Sequence, residues 1–284
     1  MESLQLERLK QIELDIFKQF ISVCQKLNLT YFVIGGTLLG AVRHKGFIPW
    51  DDDIDVGMPR KDYEIFLQKA QTLLPSHYFV QTHQTDPEYP LNYAKIRNSN
   101  TTFIESSVAK RNMNHGTYMD VFPLDFYPDS KLEQLCFDVR FKLPYFRVRS
   151  EFTIPKECKA SALKKVLQSI LMGLAKMMYP SADRAIKKRE SLMKAYTNTS
   201  YLANFCGAWG KKEIVPASWY GEGKLMPFEN LSVRVPAHPE KWLTQVYGDY
   251  MKLPPKEKQI THHYTDYIDL ENSYTNYTTG DKKI

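Results

Sequence analysis

The chain has 284 residues, 43% apolar and 25% charged, with a formal net charge of +6. That length supports a substantial core in one large domain or two smaller ones, and that balance excludes a disordered chain. No run of about 18 uninterrupted apolar residues occurs, so no membrane-spanning helix is expected, and the charged first 30 residues show no secretory signal.

Residues 2–27 repeat Leu6, Leu9, Ile16, Phe20, Cys24 and Leu27 at helical spacing and predict an amphipathic helix ended by Asn28. Tyr31–Ile34 reads as a strand broken by Gly35-Gly36. A short helix over 37–42 follows, with Thr37 as its expected N-cap. His44-Lys45-Gly46 is a turn, residues 53–58 alternate as a strand does, and 61–74 is helical up to Pro75. Residues 78–81, 94–97, 102–104 and 118–122 read as further strands, the last stopped by Pro123. The first 128 residues therefore predict an α/β (α+β) catalytic core, a mixed sheet with flanking helices.

The second half changes character. Residues 131–195 hold 15 Lys or Arg against 6 Asp or Glu and read as a helical basic insertion within 129–200. Such a segment favours phosphate-bearing partners or an anionic membrane face, although a solvated helical surface has the same composition. The stripe Val166, Ile170, Leu171, Leu174, Met177 and Met178 is expected to pack on the core, with a membrane-surface helix as the alternative. Residues 201–284 are expected to pack on the core as short strands, a helix over Pro239–Tyr247 and a polar tail, mobile over 273–284. The four cysteines, Cys24, Cys136, Cys158 and Cys206, form no CxxC pair and are expected as free thiols in a reducing cytosol.

The chemistry gathers at Trp50-Asp51-Asp52-Asp53-Ile54-Asp55, four carboxylates in five positions. Close carboxylates repel, and desolvation worsens the repulsion, so the cluster is either fully solvated or holds a divalent cation. The flanks Trp50, Ile54, Val56 and Met58 are apolar, which argues against a solvated loop. On a strand Asp53 and Asp55 share a face, with Asp51 on the same parity and Asp52 turned to solvent. Two such carboxylates suit Mg²⁺ or Mn²⁺. Sixteen residues separate Asp53 from Gly36, where a glycine corner opens a helix and its amides can meet phosphate oxygens. A phosphate cradle facing paired carboxylates describes phosphoryl or nucleotidyl transfer.

The run from Gly35-Gly36-Thr37 through His44-Lys45-Gly46 to Trp50-Asp51-Asp52-Asp53-Ile54-Asp55-Val56 resembles the signature of the LicD family. Gly116–Asp125, the Lys95-Ile96-Arg97 core and Tyr247-Gly248-Asp249-Tyr250 agree with it. That family includes bacterial phosphocholine transferases, is similar to animal fukutin-related proteins and belongs with the nucleotidyltransferase superfamily. The resemblance implies a nucleotidyltransferase-like fold, with Asp53 and Asp55 as catalytic metal carboxylates and Asp120 as the third. Asp120 would either complete the metal site or accept a proton from the attacking hydroxyl, or else cap a turn before Pro123. Asp51 is a further metal ligand candidate. Gly35, Gly36 and Thr37 would bind donor phosphate. Arg43, Lys95 and Arg97 are phosphate or acceptor contacts, or ordinary surface charge. Trp50 would stack on a base or a choline headgroup, or pack in the core. His262 and His263 are either metal ligands or neither structural nor catalytic.

The reaction so implied is metal-dependent transfer of phosphocholine from CDP-choline to a hydroxyl of a teichoic acid, capsule or lipopolysaccharide precursor. CMP is released, and the enzyme is cytoplasmic or peripheral at the inner membrane face. The acceptor glycan is free or lipid-linked, and nucleic acid is not among the expected partners. The rivals are glycerol phosphate or ribitol phosphate transfer, a nucleotidyltransferase using ATP or CTP, and a non-catalytic scaffold.

Overall fold

The computed structural model describes residues 3–152, 162–261 and 263–277. Helix α1 (Ser3–Leu27) buries Leu9, Ile12, Ile16, Phe17, Phe20, Val23 and Cys24 along one stripe. The chain then passes through β1 (Phe32–Val33), α2 (Gly35–Arg43), β2 (Asp55–Pro59) and α3 (Arg60–Leu73). Strands β3 (Tyr78–Gln81), β4 (Ala94–Asn98), β5 (Thr102–Glu105) and β6 (Thr117–Tyr127) follow. The sheet runs β1-β2-β6-β4-β3, antiparallel except that β2 lies parallel to β6. The arrangement is mixed α and β, as expected from the sequence.

Strand β6 outruns the expected stop at Pro123. Its even-numbered amides face β2, as the donation from Asp120 N to Ile54 O (2.9 Å) shows. The donor that Pro123 lacks therefore faces the other edge, where pairing with β4 has ended at Val121 and pairing with the next strand begins at Asp125. A proline is tolerated where no ladder bond is asked of it.

Helices α4 (Lys131–Arg149), α5 (Ala162–Met178) and α6 (Ala182–Met193) come next, before β7 (Tyr201–Ala203) and β8 (Ile214–Pro216) extend the sheet from the end of β6. The apolar stripe of α5 does not pack on the core. Ala175 is buried and Leu171 and Met172 half-buried, so the helix leans on its neighbours by that side. Val166, Ile170, Leu174, Met177 and Met178 face outward instead.

The hairpin β9 (Lys224–Phe228) and β10 (Leu231–Val235), then α7 (Pro239–Tyr247), close over α2 and β1. Strand β11 (Thr265–Asp269) pairs antiparallel with β5. Residues 273–277 are held in place rather than loose: Ser273 Oγ donates to Ser99 O (2.7 Å) and Tyr274 N to Thr101 O (3.1 Å). The remainder of the tail expected to be mobile, 278–284, lies outside the described residues, as do His262 and Cys158. Cys24, Cys136 and Cys206 are free thiols.

Candidate functional site

The corner between β1 and α2 sets the site. Ile34 is extended and Gly35 takes φ +56°, a left-handed conformation that side chains disfavour. The corner is tied to the start of β2 from two sides: Ile34 N donates to Asp55 O (3.1 Å), and Asp55 N donates to Thr37 Oγ1 (2.8 Å). Thr37 therefore does not cap α2, which begins at Gly35; its hydroxyl positions the strand bearing Asp55. A Cβ on Gly35 would meet Asp55 Oδ2 at 2.7 Å, and one on Gly36 would collide with Asp51 Oδ2. Asp51 and Asp55 thus lie directly against the glycine corner, and only glycine leaves room for them.

Sheet register supplies the third carboxylate. Asp120 on β6 stands opposite Asp55 on β2 and opposite Lys95 on β4. Lys95 Nζ lies 2.9 Å from Asp120 Oδ1 and 3.7 Å from Glu105 Oε1, and 3.2 Å from the centre of the Tyr118 ring. Arg97, two residues along the same face, is wholly buried. It donates from Nε to Gln81 Oε1 (2.8 Å), from Nη1 to Gly116 O (2.8 Å) and from Nη2 to Glu105 Oε2 (3.2 Å). Each of its three guanidinium nitrogens is bonded to a protein group and the side chain is shut from solvent, which disfavours the expected contact with phosphate. Lys95 likewise is not surface charge but a buried counter-ion to Asp120. Burial alone would raise Glu105, but Lys95 and Arg97 outweigh it and hold the carboxyl at about 2.

The acids of residues 51–55 are poorly neutralised. Burial raises Asp51 well above the ordinary carboxylate range, and the charges of Asp53 and Asp52 raise it further. Burial does the same to Asp55, reinforced by Asp53, Asp120 and Asp51. Asp53 is raised by burial with His263 pulling it back, and Asp120 is raised by burial with Lys95 pulling it back. Asp52 is not turned to solvent: it is buried, and His263 Nδ1 donates to its Oδ1 at 3.1 Å. His263 Nε2 faces Asp53 Oδ2 at 3.7 Å. Burial disfavours the imidazolium, but Asp52 and Asp53 overcome this and lift His263 to about 10, so it is cationic at neutral pH.

Helix α1 adds two groups that sequence reasoning missed. Glu13 is buried and raised well above the usual range, first by burial and then by Asp53, Asp52 and Asp51. Lys10, also buried, donates to Pro49 O (2.8 Å) just ahead of the acidic run. The signal was present, since Glu13 interrupts the apolar stripe between Leu9 and Ile16. Nothing in the sequence placed His263 there; the pairing of β11 with β5 brings it in.

The remaining expected site residues lie at the margin. Arg43, half-buried, donates from Nη1 to Tyr250 O (2.7 Å) and from Nε to His44 Nε2 (2.9 Å), which ties α2 to the chain after α7. Burial lowers its pKa. Trp50 is half-buried against the main core. Asp125 is held by Arg60 in a two-bond pair (2.6 and 2.7 Å) away from the cluster.

Seven carboxyl groups (Glu13, Asp51, Asp52, Asp53, Asp55, Glu105 and Asp120) face four cationic side chains (Lys10, Lys95, Arg97 and His263). This excess of hard oxygen donors fits a divalent cation chemically. Geometrically the fit is incomplete: among the described residues no three acid, imidazole or thiol groups converge as a ready metal cage. Asp53 leans toward His263 and Asp120 toward Lys95.

One curated relative is similar along nearly the whole chain, and others over shorter stretches. Lipopolysaccharide cholinephosphotransferase LicD of Haemophilus influenzae is 30% identical over 267 residues, 93% of this chain and 97% of that protein. The chain belongs to the LicD family. The family description "LicD/FKTN/FKRP, nucleotidyltransferase domain" matches residues 28–159 of this LicD-family chain, which contain the glycine corner, the acidic run and Asp120. Ribitol 5-phosphate transferase FKRP of mouse and of human is 43% identical over 42 residues, 15% of this chain and 8% of those proteins. An uncharacterized protein of Rickettsia prowazekii, RP689, is 34% identical over 115 residues, 40% of this chain and 39% of that protein.

Proposed function

We propose that this LicD-family chain transfers phosphocholine from CDP-choline to a hydroxyl of a cell-surface glycan precursor, releasing CMP on the cytoplasmic side. The precursor is a teichoic acid, capsule or lipopolysaccharide repeat. The observation that carries the reading is the contact of Gly35 and Gly36 with Asp55 and Asp51, with Asp120 in register beside Asp55. The similarity to a lipopolysaccharide cholinephosphotransferase over 97% of its length supports the donor and acceptor class.

The corner amides of Gly35 and Gly36, at the start of α2, would receive a donor phosphate. Asp53, Asp55 and Asp120, with Asp51 behind them, would hold Mg²⁺ or Mn²⁺. When bound, such an ion neutralises diphosphate charge and aligns it for in-line attack. The acceptor oxygen forms a bond to the distal phosphorus while the bond from that phosphorus to the bridging oxygen breaks, and CMP departs with the bridging oxygen. In the alternative role Asp120 would leave the metal to Asp53 and Asp55 and accept the hydroxyl proton, which the rise of its pKa on burial supports, with Lys95 fixing its direction. His263, beside Asp52 and Asp53, would offset part of their charge.

A second reading is transfer of ribitol phosphate or glycerol phosphate, favoured by the 43% identical stretch shared with ribitol 5-phosphate transferase. Incubating the protein and Mg²⁺ with CDP-choline, CDP-glycerol or CDP-ribitol, each with acceptor glycan, and counting CMP separates the two. CMP from none of them, or pyrophosphate from ATP or CTP instead, sinks the phosphotransferase reading. A calorimetric titration with Mn²⁺ that stays silent even with nucleotide present would favour a non-catalytic scaffold.

A further inference from the structure

The region least like an ordinary protein surface lies away from the carboxylates, on α5. Val166, Leu167, Ile170, Leu174, Met177 and Met178 are each between 48% and 81% exposed. Their spacing places them on one face of the helix, opposite buried Ala175 and half-buried Gln168 and Met172. The adjoining α4 leaves Leu132, Leu135 and Val139 exposed in the same way. Scattered exposed apolar residues are normal, but a continuous face of this kind marks an interaction site.

Charge identifies the occupant. The α5 sequence carries Lys164, Lys165 and Lys176 and no acid. On α4 there are five basic residues against Glu133 and Asp138, and Asp138 is already paired with Lys211. Lys131, Arg140 and Lys142 are exposed beside the apolar residues. A protein partner's apolar groove would be indifferent to these cations, whereas an anionic bilayer surface answers both features together. Among the described residues no helix is long and apolar enough to cross a membrane, so the fitting geometry lies in the interface plane.

We propose that α5, assisted by α4, seats this protein on an anionic phospholipid surface, its apolar face among the acyl chains and the exposed Lys131, Arg140, Lys142 and Lys176 at the headgroups. This goes beyond the phosphotransferase reading and does not depend on it, because vesicle binding is read without turnover. The wild-type chain is sedimented with vesicles of equal parts phosphatidylglycerol and phosphatidylethanolamine, and separately with phosphatidylcholine vesicles. The expected result is co-sedimentation with the anionic vesicles at least about tenfold stronger than with the neutral ones, weakening as salt rises. The double variant Ile170→Glu/Leu174→Glu should lose at least about tenfold of that binding while its circular dichroism and melting stay those of wild type. Met177→Glu, at the most exposed position, should weaken binding in the same direction. No binding to anionic vesicles, equal binding to neutral ones, or unchanged binding by the double variant would each overturn the proposal. So would a wild-type dimer in analytical ultracentrifugation that the double variant breaks, because the face would then belong to a second copy.

Discussion

The carboxylate cluster and the α4–α5 helices reverse the usual distribution of side chains in opposite senses. Around Asp51–Asp55 charge lies inside, with Asp51 and Asp52 buried and Asp53 and Asp55 half-buried beside Ile54, Val56 and Met58, and with too few cations. On α5 apolar groups lie outside, with nothing among the described residues covering them. Each arrangement costs free energy in the isolated protein, since buried charge loses hydration and exposed hydrocarbon orders water. The contrast teaches that neither region is at rest by itself: the proposed cation and diphosphate would relieve the first, and the proposed anionic surface would relieve the second. The first is rigidly specified by register and glycine geometry, whereas the second needs only helical periodicity.

The sharpest way to break the first half of the contrast is to remove its charge. Asp53→Asn and Asp55→Asn should each cut transfer by about a thousandfold or more, measured as CMP release at saturating donor. Asp55→Asn should at the same time raise the melting temperature in the presence of a chelator, because it relieves repulsion among Asp51, Asp53 and Asp120. A variant that loses activity and also loses stability would show that these carboxylates are structural.

Removing a cation should do the reverse. Lys95→Met leaves Asp120 and Glu105 buried with one partner fewer and should destabilise by about 3–5 kcal/mol in urea denaturation. Gly36→Ala, which drives a Cβ into Asp51, should cost about 1–3 kcal/mol and most of the activity. Were that variant to transfer normally, the close approach of the corner to the acids would have no bearing on the reaction.

Much of this site was legible in the sequence because two rules act locally. Period-two alternation placed Asp55 on a buried strand, and the Gly-Gly break preceding it marked a corner. What could not be read was partnership at long range. Asp52 alternates away from Asp55 and so reads as solvent-facing, yet β11 delivers His263 to it from 211 residues away. Arg97 reads as accessible because nothing local shows that Gln81, Gly116 and Glu105 will enclose it. The α5 stripe reads as core because periodicity reports that a helix has an apolar face and says nothing about what covers it.

Acid should affect one part of the cluster in a predictable direction. Glu105 is held at about 2, below its ordinary 4.5, so its ion pairs with Lys95 and Arg97 contribute stability that is full above pH 4.5 and lost as pH falls toward 2. That contribution is on the order of 3 kcal/mol. In Glu105→Gln, metal-free stability measured by denaturant titration should change less over that interval than in wild type. An equally steep acid limb would assign the loss to other carboxylates.

The smallest expected effect completes the contrast. Ile170→Glu places a charge on a face already in water, so it buries no ion and opens no cavity. The change in unfolding free energy should stay within about 0.5 kcal/mol, against the several expected for Lys95→Met. A helix whose apolar face contributed to the folded core could not tolerate this, because burying a glutamate among apolar neighbours without a partner is costly. A loss of about 2 kcal/mol or more would therefore mean that the stripe packs inward in solution, and the parallel between buried charge and exposed apolar surface would fail on its second side.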